Sequence, residues 1–116
     1  MKKIFHLSSC NTNQKILNQL NLTDVELQDI KQKNIDPKTL DWLKEKVGSY
    51  EALFSKKAMK FRSMGLHERE LTEHDYRELM LQEYTFLKRP FIINGTQVFV
   101  GNAKVQVEAA VKSFNS

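Results

Sequence analysis

Two apolar runs rich in β-branched residues flank Asn94-Gly95, with Phe91-Ile92-Ile93 before it and Thr96 to Val100 after it. Asparagine and glycine both tolerate the positive φ of a type I′ turn, so the pattern is a strong hairpin signal. A hairpin this late must lay antiparallel strands against whatever sheet the earlier chain supplies. Two earlier segments qualify. Lys2 to Leu7 reads as a short strand and Val25 to Ile30 as a second. Between them, about Asn11 to Leu20 reads as a helix with Ile16, Leu17 and Leu20 on one face. Two strands joined by a helix run parallel with a right-handed crossover.

The middle of the chain is helical. Asp36-Pro37 places an N-cap before a proline at the first helical position, Leu40, Leu43 and Val47 supply a buried stripe, and Gly48 ends it. Ser49 to Phe54 suggests a further turn or two of helix, and the basic stretch Ser55 to Arg62 reads as a loop. Thr72 with Asp75 three residues on forms a capping-box pattern that opens another helix, with Tyr76, Leu79, Met80 and Glu83 on one side. Asn102 is expected to cap a last helix bearing Val107, Ala110, Val111 and Phe114. The order β, α, β, helices, β, β, α predicts an α/β protein with a thioredoxin-like fold: a four-stranded mixed sheet with a helical insert after the second strand. The 116 residues form one expected domain, with the insert at about 34–86.

Charge and composition exclude several classes. A net charge of +4 suits a small anion or an acidic partner and falls short of a nucleic-acid binder. A lone cysteine cannot form an internal disulfide, which points to the reducing cytoplasm. Lys2, Lys3 and Leu7-Ser8-Ser9-Cys10 superficially match a lipoprotein signal, but only Ile4, Phe5, His6 and Leu7 separate the lysines from the serines, against the roughly 7 to 15 apolar residues an export signal needs. No membrane association is expected.

Cys10 lies where a strand hands over to a helix. A thiol there meets the unpaired N–H groups of a first helical turn, which favour a thiolate and can bind an oxyanion. Asn11 and Thr12 add short polar side chains, and Lys15 a cation about one turn away. The same position also suits a small residue filling an apolar gap, since free cysteine is often buried. His6 is read as a satisfied core histidine, and His67 and His74 as surface residues. Asp41, Glu45, Glu68, Glu70 and Glu73 are read as solvated faces. No group shows metal-ligand spacing, so no metal is expected. Arg89-Pro90 opens the third strand. In a thioredoxin-like sheet such a proline is cis and faces the nucleophile, which would aim Arg89 at an oxyanion. An ordinary trans proline after a surface arginine is the other reading.

"IFHLSSCNTNQK", "ALFSKK" and "FLKRPFIINGTQVFVG" together resemble the arsenate reductase family, which includes the Spx regulators and the YffB-like proteins. The resemblance spans nearly the whole chain. It implies Cys10 as a catalytic thiol nucleophile and Arg89, before a cis Pro90 that is a structural active-site proline, as an anion ligand; Asn11, Thr12 and Lys15 join it as candidate anion ligands from their place beside Cys10. Three departures stand out. Ser55, followed by Lys56 and Lys57, occupies the place of a second clamp arginine, Val100 that of a third, and Gln14 that of a basic residue four after the cysteine. Lys56 is the candidate replacement, although lysine lacks the bidentate fork. Asn13 stands where the Spx branch carries a second cysteine. The resemblance implies no bound cofactor and a small oxyanion as substrate. The single cysteine requires an external thiol, glutathione with glutaredoxin or an equivalent such as thioredoxin. A monomer is expected. The competing expectation is a Spx-like regulatory or binding protein, or a family member without catalysis.

Overall fold

The computed structural model describes residues 1–115. These residues divide into two compact units, one formed by 1–33 with 89–115 and the other by 34–88.

The first unit contains the sheet. β1 (Lys2–His6) pairs in parallel with β2 (Glu26–Asp29) and antiparallel with β3 (Phe91–Asn94), and β3 pairs antiparallel with β4 (Gln97–Val100), in the order β2-β1-β3-β4. The four-stranded mixed sheet is the expected one. α1 (Asn11–Leu17) and α5 (Lys104–Phe114) pack on one face of it. There Ile4 and its cross-strand partner Ile92 meet Ile16, Leu17 and Leu20 from the α1 side and Ala110 and Phe114 from α5. This is one apolar cluster, assembled from the period of two along the strands and the period of 3.6 along the helices.

Three details of this unit differ from the sequence expectation. The hairpin turn is Gly95-Thr96, since Asn94 pairs with Gln97 within the ladder. Gly95 alone of the two has positive φ, 65°, so the turn has the demand of type II′, which places glycine first, and not that of type I′. α1 ends at Leu17, and the chain then tightens through Gln19 N–H to Ile16 O and Leu20 N–H to Leu17 O, at 3.0 and 3.1 Å. Those i to i−3 bonds keep Leu20 in the core after α-geometry has stopped. α5 starts one residue later than expected, with Ala103 and not Asn102 at the N-cap and no side-chain cap.

The second unit is helical. α2 (Pro37–Val47) begins on the Asp36 cap, whose carboxylate accepts from Thr39 N–H at 2.8 Å, and stops at Gly48 with φ 105°. α4 (Glu73–Gln82) opens with the complete Thr72/Asp75 capping box. Single 3₁₀ turns occur at Glu51–Leu53, Leu66–Glu68 and Tyr84–Phe86. The basic stretch read as a loop contains α3 (Met59–Ser63), a five-residue helix without a buried residue. No apolar period announces it. It is held by Phe61 edge-on to Phe54 at 5.9 Å and by Lys60 on Glu83 at 2.5 Å. Among the described residues no helix is long and apolar enough to cross a membrane.

Candidate active site

Cys10 is the N-cap residue of α1, with extended backbone (φ −91°, ψ 114°) and a half-buried side chain. Its N–H donates to Leu7 O at 3.0 Å and its own carbonyl accepts from Gln14 N–H at 3.1 Å, so the thiol rides on the first turn of the helix. The Gln14 side chain crosses back to donate to Ser8 O at 3.1 Å. Thus Gln14, where the resemblance implies a basic residue, braces the loop. Asn11 and Thr12 are exposed in the first turn of α1 and Lys15 is exposed near its end.

Behind the loop sits Asn13, 1% exposed, with its Oδ1 accepting Leu7 N–H at 2.9 Å. Sequence reasoning missed it as a site residue. The signal was present: residues 13, 16, 17 and 20 follow the helical period of the buried stripe, so a polar residue at 13 was due to be buried. Its Nδ2 has no partner among the described residues. Stranding a buried donor costs about 1–3 kcal/mol, so this carboxamide is held at some expense.

His6 is buried, but it is not the satisfied core histidine expected, because Nδ1 has no hydrogen-bond partner among the described residues. Burial pushes its pKa below the ordinary value, and the charge of Asp29, its register partner on β2, pulls in the opposite direction. Asp29 accepts a short hydrogen bond from the Ser8 hydroxyl and another from Lys31 N–H at 3.1 Å. The Ser8 bond is the largest influence holding this carboxyl below its usual range, while desolvation opposes it.

Arg89 and Pro90 reach the same end of the sheet by topology. Phe5 pairs with Phe91 in antiparallel register, so the residues leaving β1 toward Cys10 run beside those entering β3. Arg89 is half-buried, Pro90 is buried, and the bond between them is cis. Pro90 O accepts from Gly101 N–H at 2.9 Å, which ties the start of β3 to the end of β4. Val100, where the resemblance implies a third clamp arginine, has its N–H on the Gln106 side chain at 3.2 Å.

Lys56 belongs to the second unit and is already engaged there. Its Nζ lies 2.6 Å from Glu51 Oε2 and 5.8 Å from the centroid of the Tyr76 ring, and the bond to Glu51 raises its pKa. Two carboxylates read as solvated faces have structural roles in the same unit. Asp41 takes both arms of Arg77, at 2.8 and 3.2 Å, together with the Tyr50 hydroxyl at 2.6 Å. Glu73 accepts from the N–H groups of Tyr50 and Glu51, at 2.7 and 3.2 Å. His67 and His74 are exposed.

The sequence profile of the ArsC family matches residues 5–110. The chain belongs to the ArsC family. Solved structures agree on the fold. An arsenate reductase (ArsC) related protein from Brucella melitensis is 28% identical with a TM-score of 0.70, covering 96% of this chain and 94% of its own. The YFFB (PA3664) protein is 22% identical with a TM-score of 0.78 and coverage of 96% and 99%. The arsenate reductase from Vibrio cholerae is 16% identical with a TM-score of 0.77 and coverage of 94% and 96%. No curated protein matches the chain at the same stringency. For this ArsC-family chain, the thioredoxin-like fold inferred from element order is the fold of its relatives.

Proposed function

We propose that this ArsC-family protein is a cytoplasmic thiol oxidoreductase whose Cys10 thiolate attacks arsenate or a related oxidised substrate. The observation that carries this reading is the seating of Cys10: the one cysteine of an ArsC-family chain is the N-cap of α1, half-buried at the sheet end to which β3 also brings Arg89. Arg89 supplies a forked cation for an oxyanion, with Asn11, Thr12 and Lys15 as lesser ligands. Attack by sulfur on arsenic expels one oxygen as water. Over the full cycle arsenate gains two electrons and becomes arsenite, while two thiols give up those electrons and join as a disulfide. Since the chain has only one cysteine, at least one of these thiols comes from outside. Glutathione with glutaredoxin, or an equivalent small thiol with thioredoxin, fills that role, and the protein works as a monomer without a bound cofactor.

The test is arsenate-dependent oxidation of glutathione in the presence of glutaredoxin, followed through NADPH and glutathione reductase. Turnover that vanishes in Cys10→Ser supports the reading. Wild-type protein with no arsenate-dependent oxidation rejects arsenate as substrate.

A second reading, that of a Spx-like regulatory or binding protein, or a family member without catalysis, is favoured by one specific observation. Lys56, the cation nearest in sequence to the missing second arginine, is neutralised by Glu51. With Ser55 and Val100 in the places of two clamp arginines, Arg89 is the one that remains. Failure of Cys10 to form a mixed disulfide with glutathione, together with absent arsenate turnover, would make this second reading the better one.

A further inference from the structure

Leu7, the first residue beyond β1, is gripped at both backbone groups. Its N–H donates to Asn13 Oδ1 at 2.9 Å, and its carbonyl accepts from Cys10 N–H at 3.0 Å. One of the two partners is therefore the candidate nucleophile itself. The orientation of the Asn13 carboxamide is fixed by chemistry, because a backbone N–H can be met only by the oxygen, and this leaves Nδ2 buried with no partner among the described residues. Asn13 shares the buried face of α1 with Ile16 and Leu17. An aliphatic side chain would fill that stripe without stranding a donor. Packing does not account for asparagine here, whereas the Leu7 contact does.

We propose that Asn13 is a positioning residue for the Cys10 thiol. By accepting Leu7 N–H it fixes the peptide that follows β1, and with it the carbonyl from which the Cys10 backbone hangs, so it sets the direction from which Sγ meets an incoming atom. The proposal rests on the reading of Cys10 as nucleophile and is independent of arsenate. Attack by sulfur is directional, and a displacement of about 1 Å in a reacting group is enough to cost about a hundredfold in rate.

The experiment measures the second-order rate of exchange between Cys10 and glutathione disulfide, in which the thiolate bonds to one sulfur and the other leaves as glutathione thiolate. It is run well below the unfolding temperature, so that a residue important only for stability leaves the rate unchanged. Three full-length proteins are compared with wild type. Asn13→Leu keeps the size and removes the acceptor. Asn13→Asp keeps both size and acceptor but adds a charge near the thiolate, so the rates of all the proteins are compared per thiolate, from the pH profile of the exchange. The third replaces Leu7 by its α-hydroxy acid, which deletes the N–H and weakens the His6 carbonyl that accepts from Ile30 N–H at 2.9 Å, so it is read together with Asn13→Leu, which leaves that carbonyl intact; it is accessible because a synthetic 1–9 thioester can be ligated to a chain beginning at Cys10. The expected result is a loss of about tenfold or more for Asn13→Leu and for the ester, and a rate within about threefold of wild type for Asn13→Asp. Folded Asn13→Leu or ester protein exchanging at the wild-type rate overturns the proposal, as does Asn13→Asp falling as far as Asn13→Leu. Should neither the leucine variant nor the ester fold, Asn13→Asp decides alone, with retention of rate supporting the proposal and loss overturning it. A protein that shows this pattern but fails to reduce arsenate refutes the substrate assignment and leaves the role of Asn13 standing.

Discussion

His6 and Asp29 stand opposite each other on β1 and β2, and the environment holds both pKa values down for different reasons. For His6 the cause is burial, which penalises the imidazolium. Its sign follows directly: the folded state binds fewer protons than the unfolded state between the folded pKa and 6.5, so stability falls as pH drops through that interval. His6→Leu is expected to flatten the change in urea midpoint between pH 7 and about 5, whereas the wild type loses stability over the same interval; equal slopes in the two proteins would refute this. At the chemical centre, Arg89→Lys keeps the charge and loses the fork. It is expected to cost about 1–3 kcal/mol of anion binding or transition-state stabilisation, the range for a charge-assisted hydrogen bond. The measurement is kcat/KM for arsenate, with Cys10→Ser as the inactive reference.

At the scale of elements, the hairpin shows why a motif is not a turn. Asn94-Gly95 reads as the two loop residues, but the ladder that pairs Phe91 with Val100 and Ile92 with Phe99 continues one pair further and takes in Asn94, opposite Gln97. There its side chain donates to Ser113 Oγ at 2.8 Å. Glycine remains the residue the turn needs. A Cβ at Gly95 would meet nothing within 4 Å, so the cost of Gly95→Ala is conformational and not a clash. It is expected to be about 1 kcal/mol, the penalty for an L-residue at positive φ, seen as a lower urea midpoint with an unchanged m-value. α3 went unread for the opposite reason. Helix detection relies on a buried stripe, and a five-residue helix without a buried residue has none. The caps of α2 and α4 were legible because Asp36 and the Thr72/Asp75 pair act through bonds to backbone only three residues away. Asp36→Ala is expected to lose about 1 kcal/mol.

At the scale of the molecule, stability toward acid depends on carboxylates in both units. Hydrogen bonds from Ser8 to Asp29, from Arg77 to Asp41 and from Lys60 to Glu83 are the largest influences holding these groups below their ordinary values. Their contribution is complete above the ordinary carboxylate range and is lost as pH falls through the lowered folded-state values. Asp41→Asn is therefore expected to shallow the fall of the urea midpoint below about pH 4 and to leave its slope near neutrality unchanged. The order of elements along the chain, the parallel pairing of β1 with β2, and the seat of Cys10 at the start of α1 were determined by the sequence itself. Those features depend on hydrophobic period, chain connectivity and residues adjacent along the chain. What only the tertiary structure decided is which polar groups meet: Asn13 with Leu7, Ser8 with Asp29, Asp41 with Arg77 and Tyr50, and Glu51 with Lys56. A hydrogen bond requires a donor and an acceptor within about 3 Å in a fixed direction. The sequence names the groups, but only the packed backbone brings each to its partner.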